Sequence, residues 1–530
     1  MRRGTRKLAT MPVALACGLL LAAASAPTQP ALAGTVGGTL EVGTVSVEKT
    51  WGDPTTMPET WDIYDGFTVA RLNLEGTAGH RNAFNLDLRD VTRNNANGLF
   101  SYRLADLGGL TVRHQRSRQL YDADGQVSAE RRDWRVGARL TPSPAFRLTA
   151  DYGRQNRSGD RWALPTGTVS ALGSAYDHVL QTHLVDAEVR RHGRMFAVAW
   201  EGSRLTDDGN PTLDRRGDVV SARASVPCLF LPGRLSHFVR ASYGKQELEA
   251  AALEVTTAAF QYLGTLRATN AVDLRYRLDL DRTESDATGR QTDRTRNDLD
   301  ATWRHANGSL FAGYGFATTD DDATLTDTNT WRVGGALRGG DRWQLRASYA
   351  TSEKDDQESL TLLKDVESSR WKANAQVKVF DALTVGGAFQ QRDRDYPALD
   401  VAATGKRTSG FTRMTFAGWG TASVEYAYSD DQYVDQAGAF RADNSTVTAR
   451  VDLTGIDRLR LGGSLTYLDL GKDLDVEKSI LSFDGSFDLT RDYFVSLRYN
   501  VYNYDDYVLL DRYYTTNVVW LNVGYKLPVD

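Results

Sequence analysis

From Tyr493 the apolar residues Tyr493, Val495, Leu497, Tyr499 and Val501 take every second position, with Ser496, Arg498 and Asn500 between them. A period of two is the signature of a β-strand, whose successive side chains point to opposite faces. The stretch therefore has one greasy and one wet side. The same pattern recurs along the chain. Phe84, Leu86 and Leu88 interleave with Asn85, Asp87 and Arg89. Phe146, Leu148, Ala150 and Tyr152 interleave with Arg147, Thr149 and Asp151. Leu459, Leu461, Leu465 and Tyr467 interleave with Arg458, Arg460, Ser464 and Thr466. At the end, Val519, Leu521, Val523, Tyr525 and Leu527 interleave with Trp520, Asn522, Gly524 and Lys526. No comparable stretch sustains a helical period, so the chain reads as nearly all β.

The connections decide between architectures. Short turn signals stand at "TPSPA" (141–145), "RHGR" (191–194), "ANGS" (306–309), "RGGD" (338–341), "FDA" (380–382), "GWGT" (418–421), "TGID" (454–457) and "LTRD" (489–492). Longer polar links lie between them, at 156–177, 318–329, 352–369 and 429–444. Short and long connections thus alternate, as in a transmembrane barrel with tight periplasmic turns and longer extracellular loops. The expected fold is a single large antiparallel β-barrel of about 26 strands, within about 22–28. Soluble β-sandwiches would bring linkers and composition shifts, and a solenoid a tight sequence repeat; neither is present. Expected strands of about 10–14 residues exceed the five or six common in soluble sheets and suit a tilted crossing.

A barrel also reconciles the alternation with composition. The chain is 41% hydrophobic, with a mean hydropathy of −0.43. It has no apolar run of about 18 residues beyond its start, which excludes helical spans but not strands that average to polar. The greasy positions Leu86, Leu88, Leu148, Leu459, Leu461, Val495, Leu497, Val519, Leu521, Val523 and Tyr525 are expected to face lipid. Tyr493, Tyr499 and Tyr525 fit an aromatic girdle. The wet positions Asn85, Asp87, Arg89, Arg135, Arg139, Arg147, Asp151, Arg458, Arg460, Arg498, Asn500, Asn522 and Lys526 are expected to face the lumen. The last strand should pair with one inside 37–49, so that no edge remains.

The first 33 residues read as a secretory signal: a basic start at Arg2, Arg3, Arg6 and Lys7, the apolar "VALACGLLLAAASA", then "ALA" before Gly34. Residues 34–530 are then one barrel in the cell outer membrane. Cleavage would leave Cys228 as the one cysteine, so no disulfide or C-x-x-C-H haem attachment is expected. His178 and His183 lack a zinc spacing, and Asp320, Asp321 and Asp322 lack that of an EF-hand. No nucleophile elbow or phosphate-cradling loop is found, and the expectation is a non-enzyme without catalytic or metal residues. The balance of 63 basic and 68 acidic residues argues against nucleic acid as partner.

Some 26 strands about 4.8 Å apart, tilted near 40°, give a backbone diameter of roughly 50 Å. Side chains cannot fill such a lumen. TonB-type transporters place a plug of well over about a hundred residues before the barrel, whereas here alternation starts by Ala70, Leu72 and Leu74. Charges of both signs on the inner face suit either an ion-selective lining or a polar socket for another protein.

"YDGFTVARLNLEG" (64–76), "FNLDLRDVTRNNANGLFSYRL" (84–104), "WRVGARLTPSPAFRLTADYGRQNRSGDR" (134–161) and "NVVWLNVGYKL" (517–527) resemble the MtrB/PioB family of outer-membrane barrels associated with multihaem c-type cytochromes. The resemblance implies a sheath around a periplasmic decahaem or similar cytochrome inserted in the lumen, with an extracellular cytochrome as a further partner. Haem would then belong to the partner, none being bound covalently here. The C-x-x-C of some family members is missing, and Pro528, Val529 and Asp530 replace a terminal aromatic. The alternative from another functional class is an outer-membrane diffusion or export channel narrowed by its own loops, with no cytochrome partner.

Overall fold

The computed structural model describes residues 35–52, 62–78, 81–120, 128–161, 173–322, 324–356, 365–397, 400–435, 438–472, 475–507 and 513–527. The expected signal segment and Pro528, Val529 and Asp530 lie outside them, as do residues 162–172 of the link from 156 to 177. Twenty-six strands, β1 to β26 in chain order, form one closed antiparallel sheet. Among the described residues the only helical elements are two single 3-10 turns, Pro211–Leu213 and Glu249–Ala251. All 26 strands belong to the wall and the two 3-10 turns sit in connections between strands, so no described strand crosses the lumen.

Closure is made by β1 (Val36–Gly52) and β26 (Tyr513–Leu527), from Gly38 opposite Leu527 to Gly52 opposite Tyr514. This is the pairing with a strand inside 37–49 that the need to leave no edge predicted. It leaves no free edge strand in the sheet among the described residues, where each unpaired backbone group facing lipid would cost several kcal/mol by order of magnitude.

Residues directly opposite across an antiparallel ladder share a face. The registers therefore carry one face around the whole wall. From Val523 it passes to Val495 and Val42, and from Leu521 to Leu497. This face holds the exposed large apolar side chains, including Leu497 at 48%, Leu521 at 47% and Val523 at 50%. The opposite face holds buried polar residues such as Asn500, Asn522, Glu188 and Asp298. Side chains crowd on a concave surface and spread on a convex one, so the apolar face is outside. A continuous greasy convex face would aggregate in water, and lipid is the solvent it fits. Aromatic pairs reinforce that face: Tyr493 with Tyr525, centroids 5.0 Å apart, Tyr314 with Trp331 at 4.5 Å, and His114 stacked on Trp134 at 4.1 Å.

On the inner face, phenylalanines stand opposite glycines: Phe311 and Gly334, Phe411 and Gly386, Phe494 and Gly524. A Cβ at any of these glycines would run into the facing ring. The glycine gives the ring a seat, and the ring covers bare backbone.

Turns follow the expected rhythm at the end that carries the termini, with two-residue turns at 306–307, 381–382 and 457–458. The other end departs from expectation. Loops were expected over 318–329 and 429–444, yet strands continue to Asp320 and Asp435 and resume at Leu325 and Gly438. Strands run from 8 to 19 residues rather than 10–14. Polar cross-strand contacts carry the ladder past the apolar belt: Thr318 Oγ1 donates to Asp327 at 2.9 Å, and Arg441 pairs with Asp430 at 2.8 Å.

One sector is low. β3 (Asn82–Arg89) and β4 (Asn97–Leu104) have 8 residues each, and β2 (Gly66–Ala78) starts opposite Val45, midway up β1. Residues 62–65 fill the gap. Asp65 accepts from the Val47 amide at 2.5 Å, and Arg93 donates to the Tyr64 and Gly66 carbonyls. Ile63 packs on the inner apolar cluster of Val45, Tyr502, Tyr514 and Val518. Burial pushes the Asp62 carboxyl up, against the pull of Asn94, Arg118, Arg116 and Arg93.

Val523→Arg is expected to lose about 2–4 kcal/mol of insertion free energy at mid-membrane. Thr448→Arg, on the inner face opposite Glu425, should insert normally. Folded yield in lipid vesicles, read by the gel shift of unboiled samples, checks this, and equal yields would reverse the assigned faces.

Candidate functional site

The candidate site is the inner wall. Of the residues expected to line it, Asn85, Asp87, Arg89, Arg135, Arg139, Arg147, Asp151, Arg460, Arg498, Asn500, Asn522 and Lys526 all carry the inner-face parity. The expected lipid-facing set carries the outer parity throughout: Leu86, Leu88, Leu148, Leu459, Leu461, Val495, Leu497, Val519, Leu521, Val523 and Tyr525. Arg458 departs from expectation. It sits in the two-residue turn between Ile456 and Leu459 with φ of 59°, its side chain 64% exposed and 3.9 Å from Asp457. The alternation read through it, but the chain reverses there and the face rule lapses.

The wall residues fall into distinct local settings. Asp87 accepts from Arg89 at 2.8 Å and lies 3.4 Å from Arg71. Arg139 and Asp151 line a concavity of about 440 Å³ near the turn end, with Arg103 and Asp106. Lys526 reaches Asp488 at 2.7 Å. Arg498 lies over the Trp520 ring at 5.9 Å. Asn500 donates to the Tyr502 hydroxyl at 2.7 Å. Asn522 donates to Glu41 at 3.1 Å, and the Ser496 hydroxyl donates to the same carboxylate. Asn522 is thus part of a buried polar knot rather than open lining, and a Cβ at Gly43 opposite would run into its side chain.

The buried carboxylates Glu188 and Asp298 and the half-buried Glu41 escaped the sequence reading. Glu188 is 3% exposed and held by Arg147 at 2.6 Å, Arg190 at 2.5 Å and Arg223 at 3.6 Å. Asp298 takes Arg296 at 2.7 Å and Arg332 at 3.0 Å. A signal was present. Opposite charges two residues apart on a strand share a face, and the pattern occurs in "DLR" (87–89), "EVR" (188–190), "RLD" (277–279), "RND" (296–298) and "RVD" (450–452).

Across β13 (Val272–Ser285) and β14 (Arg290–His305) the inner face becomes a charge checkerboard. Arg275 stands opposite Asp300, Arg277 opposite Asp298, Asp279 opposite Arg296 and Asp281 opposite Arg294. Gln261 adds a hydrogen bond to Asp279 at 2.9 Å. Direct opposition of unlike charges stabilises a ladder by about 0.2–1 kcal/mol per pair.

Among the described residues no three His, Cys, Asp or Glu side chains gather at metal-binding distance. His183 lies on the outer face between Tyr152 and Trp200, centroids 5.2 and 6.1 Å away, as part of the aromatic belt.

No family model and no curated protein matches the chain. Solved structures do. The ferric citrate transporter FecA in its unliganded form aligns over 92% of this chain and 78% of its own, with a TM-score of 0.51 and 9% identity. The siderophore receptor PirA from Pseudomonas aeruginosa aligns over 94% and 82%, with a TM-score of 0.48 and 9% identity. The FrpB iron transporter from Neisseria meningitidis aligns over 80% and 82%, with a TM-score of 0.49 and 11% identity. The likeness is one of fold. The chain is a large outer-membrane β-barrel.

Glu188→Ala is expected to lower unfolding free energy by about 1–3 kcal/mol, because three guanidiniums lose their shared acceptor. Arg190→Ala, whose side chain is 62% exposed, should cost under about 1 kcal/mol. Urea unfolding in lipid vesicles measures both, and the reverse order would refute the role given to Glu188.

Proposed function

We propose that this barrel is the sheath of an electron conduit across the outer membrane, enclosing a periplasmic multihaem c-type cytochrome. The observation that carries the reading is the lumen. Twenty-six strands enclose a space roughly 50 Å across between backbones, and no described element occupies it. A second protein is a fitting occupant for a hole that would otherwise breach the membrane. The wall suits such an occupant. It presents polar side chains and partnered charges such as the β13–β14 checkerboard, as the surface of a soluble protein does. The segments that resemble the MtrB/PioB family, at 64–76, 84–104, 134–161 and 517–527, lie mainly in the wall. In this role the chain binds no haem covalently. It excludes lipid from the haem chain and fixes its position, and an extracellular cytochrome is a candidate acceptor or donor at the loop end.

A second reading, solute passage without a cytochrome, draws on the fold shared with the ferric citrate transporter FecA. The two readings separate on one preparation. Gentle purification from outer membranes should bring down a haem protein in stoichiometric amount, visible as a Soret band. A haem-free barrel that admits solutes into liposomes and shows large single-channel conductance would sink the conduit and favour passage.

A further inference from the structure

Four successive strands lack the charge balance of the checkerboard. They are β17 (Trp343–Asp356), β18 (Val366–Phe380), β19 (Leu383–Tyr396) and β20 (Val401–Phe416). Their inner faces present Arg346, Arg370, Lys372, Arg392, Arg394, Arg407 and Arg413, besides Lys354 and Lys378, which reach Asp356 and Asp381. The acids of β18 and β19, Glu367, Asp393 and Asp395, fall on odd positions and so on the outer face. On β17 the inner face carries Asp356 only at the loop rim, 3.7 Å from Lys354. Among the described residues none of the first seven has a carboxylate within ion-pair distance; Arg370 has a hydrogen bond to the Gln390 side chain at 3.3 Å. The acids flanking the arc are Asp298 and Asp300, engaged by Arg332, and Glu425 and Asp431 on the inner face of the next strand.

The register concentrates the charge. Arg370 stands directly opposite Arg392, and Lys372, Gln390 and Arg407 form one row across three strands. Like charges in opposition weaken a ladder, so the fold gains nothing from this arrangement. Small residues, Ala388, Ser409 and Ala427, line a concavity of about 580 Å³ together with Lys372, Gln390 and Arg407 and, on its far side, Glu425. The cations run along the strands from Arg413, opposite Thr384 at the turn end, to Arg392, opposite Gly405 towards the loops.

We propose that this arc is an anion-binding track that makes the lumen selective for dissolved small oxyanions and chloride over cations. Guanidiniums offer planar paired donors to carboxylate, phosphate and sulfate oxygens. Lined up on a low-dielectric wall, they raise the local concentration of anions. The track is a property of the bare wall and stands whether or not a cytochrome occupies the lumen in the cell.

Because the lumen is wide, selectivity depends on ionic strength. The screening length is about 30 Å at 0.01 M salt and about 10 Å at 0.1 M, so the field reaches the axis only in dilute salt. The full-length chain, refolded alone into planar bilayers, is tested in a tenfold KCl gradient centred near these concentrations. The expected reversal potential has the sign of chloride permeation and shrinks as both solutions are concentrated. The Arg370→Gln, Lys372→Gln, Arg392→Gln, Arg407→Gln variant should lose at least about half of it. Adding phosphate at constant ionic strength should reduce the chloride current of the unmodified barrel and not that of the variant. If the fourfold variant inserts poorly, Lys372→Gln, Arg407→Gln gives the same comparison with a smaller shift. Cation selectivity, an unchanged reversal potential in the variants, or a barrel passing no chloride current would each overturn the proposal.

Discussion

Everything in this molecule depends on one constraint: inside a bilayer, each backbone N–H and C=O must find its partner within the protein. A sheet meets that demand only by closing, and closing here means joining the two ends of the chain, β1 to β26. The demand explains why strands outrun the apolar belt where polar cross-strand pairs can support them. It also explains the low sector at β2–β4, where residues 62–65 and the Arg93 guanidinium supply the hydrogen bonds that missing strand residues would have made.

Closure then separates two chemical environments with one set of strands. The convex face disperses its side chains and takes lipid; the concave face crowds them, so that polar groups on it become buried against one another rather than hydrated. Glu188, under three guanidiniums, and Asn522, between Glu41 and Ser496, are products of that crowding. Electrostatics on the wall is a matter of register. Where β13 meets β14 the register sets unlike charges face to face, and where β18 meets β19 it sets Arg370 against Arg392. The same alternating sequence grammar yields a neutral sector and a basic one.

The alternation along each strand made the fold class and both faces legible in the sequence, because a period of two is a local property of the chain; the need to leave no edge then gave the closing pair. Val519, Leu521 and Val523 announced the outer face without reference to any neighbour. Arg458 broke the reading because a turn interrupts the period just there. The Arg-x-Asp pairs were also legible, since residues two apart share a face whatever lies beside them.

Neighbours across the ladder were not. Which charge opposes which depends on the registers of adjacent strands, and these are fixed by turns, by the irregularity between Glu41 and Val42, and by closure around the whole ring. Only the tertiary structure could bring Glu41 beside Asn522 and Ser496, gather Arg147, Arg190 and Arg223 on Glu188, or leave Arg370, Arg392 and Arg407 without a paired acid among the described residues. The sequence determined that this chain makes a wide barrel with a greasy outside and a charged inside. How those charges are balanced, sector by sector, was decided by long-range pairing.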